Sequence, residues 1–145
     1  MLSTGKFKGP FPKSSPYDFE VVFIGENLAI ELTLDERDED IGCYISRIIE
    51  GQPAQDFAVG VGGKRVRGRL PYLLIAWGVR WPSLTKVRGL SLKERMPIQL
   101  HDYAQMLKGH GQMVLEDNPT FLDVTEPSYE VIRQFVKISK GSTSK

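Results

Sequence analysis

The stretch YDFEVVFIGENLAIELTL, residues 17–34, decides the fold. Phe19, Val21 and Phe23 share one parity, and Leu28, Ile30, Leu32 and Leu34 take up the same period of two beyond Gly25, Glu26 and Asn27. Side chains alternate between the faces of a strand, so two alternating runs joined by a short Gly/Asn turn predict an antiparallel β-hairpin. The next six residues, DERDED at 35–40, are too polar for a core and predict an exposed connection. A third strand is expected from Ile41 to Glu50, with Ile41, Cys43, Ile45 and Ile49 at one parity, closed by Gly51, Gln52 and Pro53. Such a meander has one buried face and one wet face. Val59 to Val66 offers a fourth strand, weakened by Gly60, Gly62 and Gly63.

The period then changes. Leu70, Leu73, Leu74 and Trp77 fall at helical spacing and Gly78 stops them, which predicts a first helix. Ser91 and Glu94 have capping-box spacing, but Pro97 should interrupt a helix begun there, so a second helix is placed at about 97–108. Leu100, Tyr103, Ala104, Met106 and Leu107 supply its apolar side, with Gly109 and Gly111 at its exit. A third helix is expected from Pro127, presenting Ile132, Phe135 and Val136. Strands first and helices after predict an α+β domain: an antiparallel sheet of three to four strands, covered on one face by about three helices. Residues 1–16 read as a flexible arm or strand lead-in, 17–139 as a single domain and 140–145 as a frayed tail.

At 145 residues the chain has the size of one domain. With 41% hydrophobic and 26% charged residues, wholesale disorder is excluded. The longest apolar run, Tyr72 to Trp77, is far short of the roughly 20 residues that span a bilayer. The N-terminus lacks the apolar core of a secretory signal. One cysteine forbids an internal disulfide and fits a reducing compartment, so a cytoplasmic location is expected.

Catalytic and metal chemistry find little support. Cys43 shares the parity of Ile41 and Ile45, which marks a buried small hydrophobe. His101 and Asp102 are adjacent in a helix, so their side chains diverge by about 100° and form no dyad. His110, between two glycines, suits a helix exit. One Cys and two His give no zinc spacing, and the 35–40 run lacks the glycine and final glutamate of a calcium loop. The segment 60–65 fails as a phosphate loop, because Arg65 stands where a hydroxyl is needed. The expectation is therefore no enzyme, no cofactor and no metal.

Charge is the stronger signal. From Asp18 to Asp56 there are eleven acidic residues against two basic, whereas from Lys64 to Arg95 there are nine basic against one acidic. Asp35, Glu36, Asp38, Glu39 and Asp40, joined by Glu26 and Glu31, make a patch suited to a cationic protein partner. Lys64, Arg65, Arg67 and Arg69, with Tyr72, Trp77 and Trp81 nearby, form the alternative, a nucleic-acid contact. Opposed blocks could also mate between identical chains, leaving a homo-oligomer open.

The phrase DYAQMLKGHG at 102–111, followed by Val114, Leu115, Glu116 and Asp117 and then Phe121 and Leu122, resembles one found in small uncharacterised bacterial α+β proteins. Some of these are immunity-type proteins of toxin systems. The resemblance spans residues 17–50 and 98–122. It implies a non-enzymatic inhibitor that binds a protein partner, and it carries over no functional residue.

Overall fold

The computed structural model describes residues 6–14, 18–36, 40–54, 66–79 and 89–124. The predicted hairpin is there. β2 (Asp18–Ile24) and β3 (Leu28–Asp35) pair antiparallel, and β4 (Asp40–Ile49) pairs with β3. Opposed residues share a face, so Phe23, Ile30 and Ile45 form one apolar row and Val21, Leu32 and Cys43 the next.

The sheet is larger than the three to four strands expected. β1 (Lys8–Ser14) pairs with β2, β5 (Gln52–Pro53) and β6 (Arg67–Arg69) both pair with β4, and the whole curls into a half-barrel. Thus part of the segment read as an arm is an edge strand. β1 is exposed throughout and shifts register between Lys8 and Phe11. Pro10 and Pro12 have no amide hydrogen to give, which an edge strand tolerates and a central one does not.

α1 (Leu70–Ala76) begins at Leu70 and Pro71 and buries Leu70, Leu73 and Leu74. It ends as expected at Gly78, which takes a φ of +90° that other residues avoid. α2 (Leu92–His110) is longer than predicted, because Pro97 lies inside it rather than at its start. Proline there deletes one helical hydrogen bond at a cost of roughly 3 kcal/mol. Opposing that cost, Glu94 N–H donates to Ser91 Oγ at 3.2 Å and Ser91 N–H donates to the Glu94 carboxylate at 3.0 Å. Burial of Tyr103, Met106 and Leu107 ties the rest of the helix to the sheet. Two short elements follow, α3 (Gln112–Leu115) and a 3-10 turn (Pro119–Leu122) that buries Phe121 and Leu122. The expected fourth strand at 59–66 falls almost wholly outside the described residues, and the helix from Pro127 entirely so.

Side chains from both halves of the sequence close the core. Leu28, Ile30, Ile41, Cys43 and Ile45 meet Leu70, Leu73 and Leu74 of α1 and Tyr103, Met106 and Leu107 of α2. Tyr103 Oη donates to the Ile41 carbonyl at 2.7 Å. Trp77, at helical spacing with the buried leucines of α1, is nonetheless 38% exposed; it stacks on Phe121, and its Nε1 donates to the Phe121 carbonyl at 2.8 Å.

Asp117 fastens the hairpin turn to the helical layer. Its carboxylate accepts from the backbone N–H groups of Glu26 at 2.8 Å, Asn27 at 3.2 Å and Leu28 at 2.8 Å. Asn27 Nδ2 returns a bond to the Asp117 carbonyl at 3.2 Å. Asp117 adopts a φ of +58°, a conformation that Asp and Asn tolerate better than most residues. The approach is close enough that a Cβ on Gly25 would lie 2.6 Å from Asp117 Oδ1, so any other residue there must push the carboxylate aside.

Candidate functional site

The acidic end of the sheet is built by register. Asp18 stands opposite Asp35, and Asp35 opposite Asp40, so three neighbouring strands place an aspartate in one cross-strand row. Exposed Glu36 extends it. Opposed like charges weaken a sheet and draw counter-charge to that end. Beside the row lies a cleft of about 210 Å³ whose walls include Asp18, Glu20, Thr33, Asp35, Tyr44 and Arg67. Of the five acidic candidates, the structure places Asp35 and Glu36 here, and Asp40 by its strand position. Asp38 and Glu39 lie outside the described residues.

Glu31 does not belong to that surface. It faces away from the helices, opposite Val22 and Tyr44, and is fully buried. Ala29, Ser46 and Val22 on this face are also buried, so the middle of the second face is not the wet one alternation predicts. Ser46 Oγ donates to Glu31 Oε1, and Arg67 Nη2 approaches Glu31 Oε2 at 3.5 Å. The Arg67 guanidinium lies over the Tyr44 ring, 4.3 Å from its centroid. Burial pushes the Glu31 carboxyl above its ordinary range, against the opposing pull of the Ser46 hydroxyl and Arg67.

That shift has a sign. A carboxyl whose folded pKa exceeds its unfolded one binds its proton more tightly in the native state, so its contribution declines as pH rises from about 4.5. Urea unfolding from pH 4 to 8 should show this slope, and Glu31→Gln should flatten it. An unchanged slope in the variant would assign the pH dependence to other groups.

The basic candidate is only partly assembled. Lys64 and Arg65 lie outside the described residues, and Arg67 and Arg69 belong to β6 rather than to a loop. Arg67 turns inward, its side chain 12% exposed against Glu31. Arg69 is exposed, with its guanidinium 5.5 Å from the Tyr44 ring centre and 5.9 Å from that of Tyr72. Opposed charge blocks therefore meet inside the fold at Glu31 and Arg67. Arg47, from the acidic half, is held at 2.6 Å by Asp123.

Elsewhere the titratable groups have structural surroundings. Cys43 is buried, and desolvation pushes its thiol up to about 12, far from a reactive thiolate. His101 is exposed while its neighbour Asp102 is buried, so they diverge as helical geometry requires. His110 lies in the last turn of α2. Among the described residues, no three His, Cys, Asp or Glu side chains are grouped to hold a metal ion, and no helix is long and apolar enough to cross a membrane.

One feature escapes sequence reasoning altogether. Between α2 and the β2–β3 half of the sheet lies a cavity of about 300 Å³, with Phe23, Ile30 and Leu32 on the strand side and Leu100, Ala104 and Leu107 on the helix side. It opens past Pro97 and His101, both exposed. Sealed and dry, such a void would cost about 7 kcal/mol at ~24 cal/mol per Å³. Comparison with protein-family models, curated proteins and solved structures finds no match to this chain.

Proposed function

We propose that the protein is a non-enzymatic binding domain, an inhibitor of the immunity type, which takes a cationic protein partner at the acidic end of its sheet. The observation that carries this reading is the register that brings Asp18, Asp35 and Asp40 into one row beside Glu36. Acidic surfaces of this kind act chiefly on the rate of encounter and on the exclusion of wrong partners. The buried Glu31–Arg67 pair supports a structural role for the polar groups behind the row, since a carboxyl with no exposed surface offers nothing to a substrate. The reading places the protein in the cytoplasm and assigns it no cofactor.

The test is association kinetics with a partner recovered by tagged pull-down from the source cells. Asp35→Lys combined with Glu36→Lys should slow association by about tenfold at low salt and flatten its salt dependence. An unchanged association rate with a verified partner removes the acidic row from the interface. The alternative, nucleic acid at Lys64, Arg65, Arg67 and Arg69, is tested by titrating labelled single and double strands. A Kd tighter than roughly 100 μM at physiological salt would favour it over the acidic row.

A further inference from the structure

We propose that the cavity between α2 and the β2–β3 face binds a small amphipathic carboxylate with an aliphatic body of roughly eight to ten carbons. Its volume of about 300 Å³ equals the share of about ten liquid water molecules at ~30 Å³ each. Water there would be poorly held. A buried water needs two to four polar partners, whereas these walls are Phe23, Ile30, Leu32, Leu100, Ala104 and Leu107. An apolar chain displaces such water with a gain in affinity.

The site is preformed. Ile30 and Leu107 belong to the buried core, and Tyr103, which also lines the space, is fixed by its 2.7 Å bond to the Ile41 carbonyl. Among the described residues, no core side chain has to move for a ligand to enter between Pro97 and His101.

The rim selects the polar end. Among the described residues that line it, His101 is the one with an exposed ionisable side chain, and the Gln105 amide stands 3.5 Å from its Nε2. Exposed Lys93 and Lys108 lie along the same stripe of α2 as Pro97 and Ala104, at spacings of four, seven and four residues, so cations flank the mouth at both ends. Among the described residues, no acidic side chain lines the cavity. An apolar body with one anionic end is the ligand that matches both parts. Phe23 and Ile30 sit toward the hairpin turn, whereas Asp18 and Asp35 occupy the other strand ends, so this site is separate from the acidic row.

Calorimetric titration of the full chain with hexanoate, octanoate, decanoate and hexadecanoate, each below its micelle concentration, tests the proposal, with decanol as the uncharged control. One equivalent should bind, tightening roughly three- to fourfold per added methylene up to about decanoate and levelling beyond it. Decanol should bind at least about fivefold more weakly than decanoate, and His101→Gln should reduce that preference. Ala104→Phe, which fills the space, should weaken decanoate by about tenfold or more without lowering the melting temperature. Ala104→Met provides a smaller filler should Phe disturb folding. Absence of saturable binding by every carboxylate overturns the proposal, and so does wild-type affinity in a folded Ala104 variant.

Discussion

Asp117→Ala is expected to lower the unfolding free energy by about 4 kcal/mol, close to half the stability of many single domains. Three backbone donors in the Glu26–Leu28 turn depend on that carboxylate, and Asp117 is only 7% exposed, so solvent cannot fully replace it. Donors left buried without an acceptor cost about 1–3 kcal/mol each, which makes the removal worse than the mean value of the bonds. Asp117→Asn keeps an acceptor oxygen and the positive φ, and should cost about 2 kcal/mol. Gly25→Ala attacks the same contact from the other side and should also cost about 2 kcal/mol through overpacking. Combined with Asp117→Ala, it should cost less than the sum, because the group it strikes is gone. Urea midpoints at constant m-value give all four numbers. A loss below about 1 kcal/mol for Asp117→Ala would show that the turn holds without the clip.

Glu31→Ala should be nearly as damaging, at about 3–4 kcal/mol at pH 7. It strips Arg67 of a carboxylate in a place where one side chain is wholly buried and the other 12% exposed, so screening by solvent is slight. It also opens a void beside Ser46. Replacing both members by apolar residues of similar volume, Glu31→Leu with Arg67→Met, should restore most of the loss, since a buried ion pair is costly to halve and cheap to delete whole. Equal destabilisation of the single and double variants would place the effect in packing rather than charge. Thermal and urea unfolding at pH 7 distinguish the two.

The hairpin at 17–34 was legible because alternation is a local property, and the register pairs the residues that alternation put on one face. β1 was not legible, since Lys8, Pro10, Pro12 and Lys13 show neither alternation nor β-propensity; pairing with β2 makes it a strand. β6 is Arg67, Gly68 and Arg69, three residues defined by Tyr44, Ile45 and Ser46 across from them. Parity assigned Glu31 to a wet face. Its burial, with Ser46 and Arg67 against it, is a tertiary property that the alternation of one strand does not carry. The contact from Asp117 to the turn spans about ninety residues of chain, and nothing near Asp117 announces it. Pro97 marked a helix start by rule, and the capping box ahead of it overrode the rule. The acidic row needed both kinds of information: composition supplied the aspartates, and strand pairing aligned them.

The two prolines of β1 bear on how copies of the molecule can meet. A strand laid along the outside of β1 would look for amide hydrogens at positions 10 and 12 and find ring carbons. Sheet-to-sheet growth from that margin is therefore obstructed, a common defence against fibril formation. Self-association at that margin must therefore use side-chain surfaces, and respond to salt, rather than a backbone zipper.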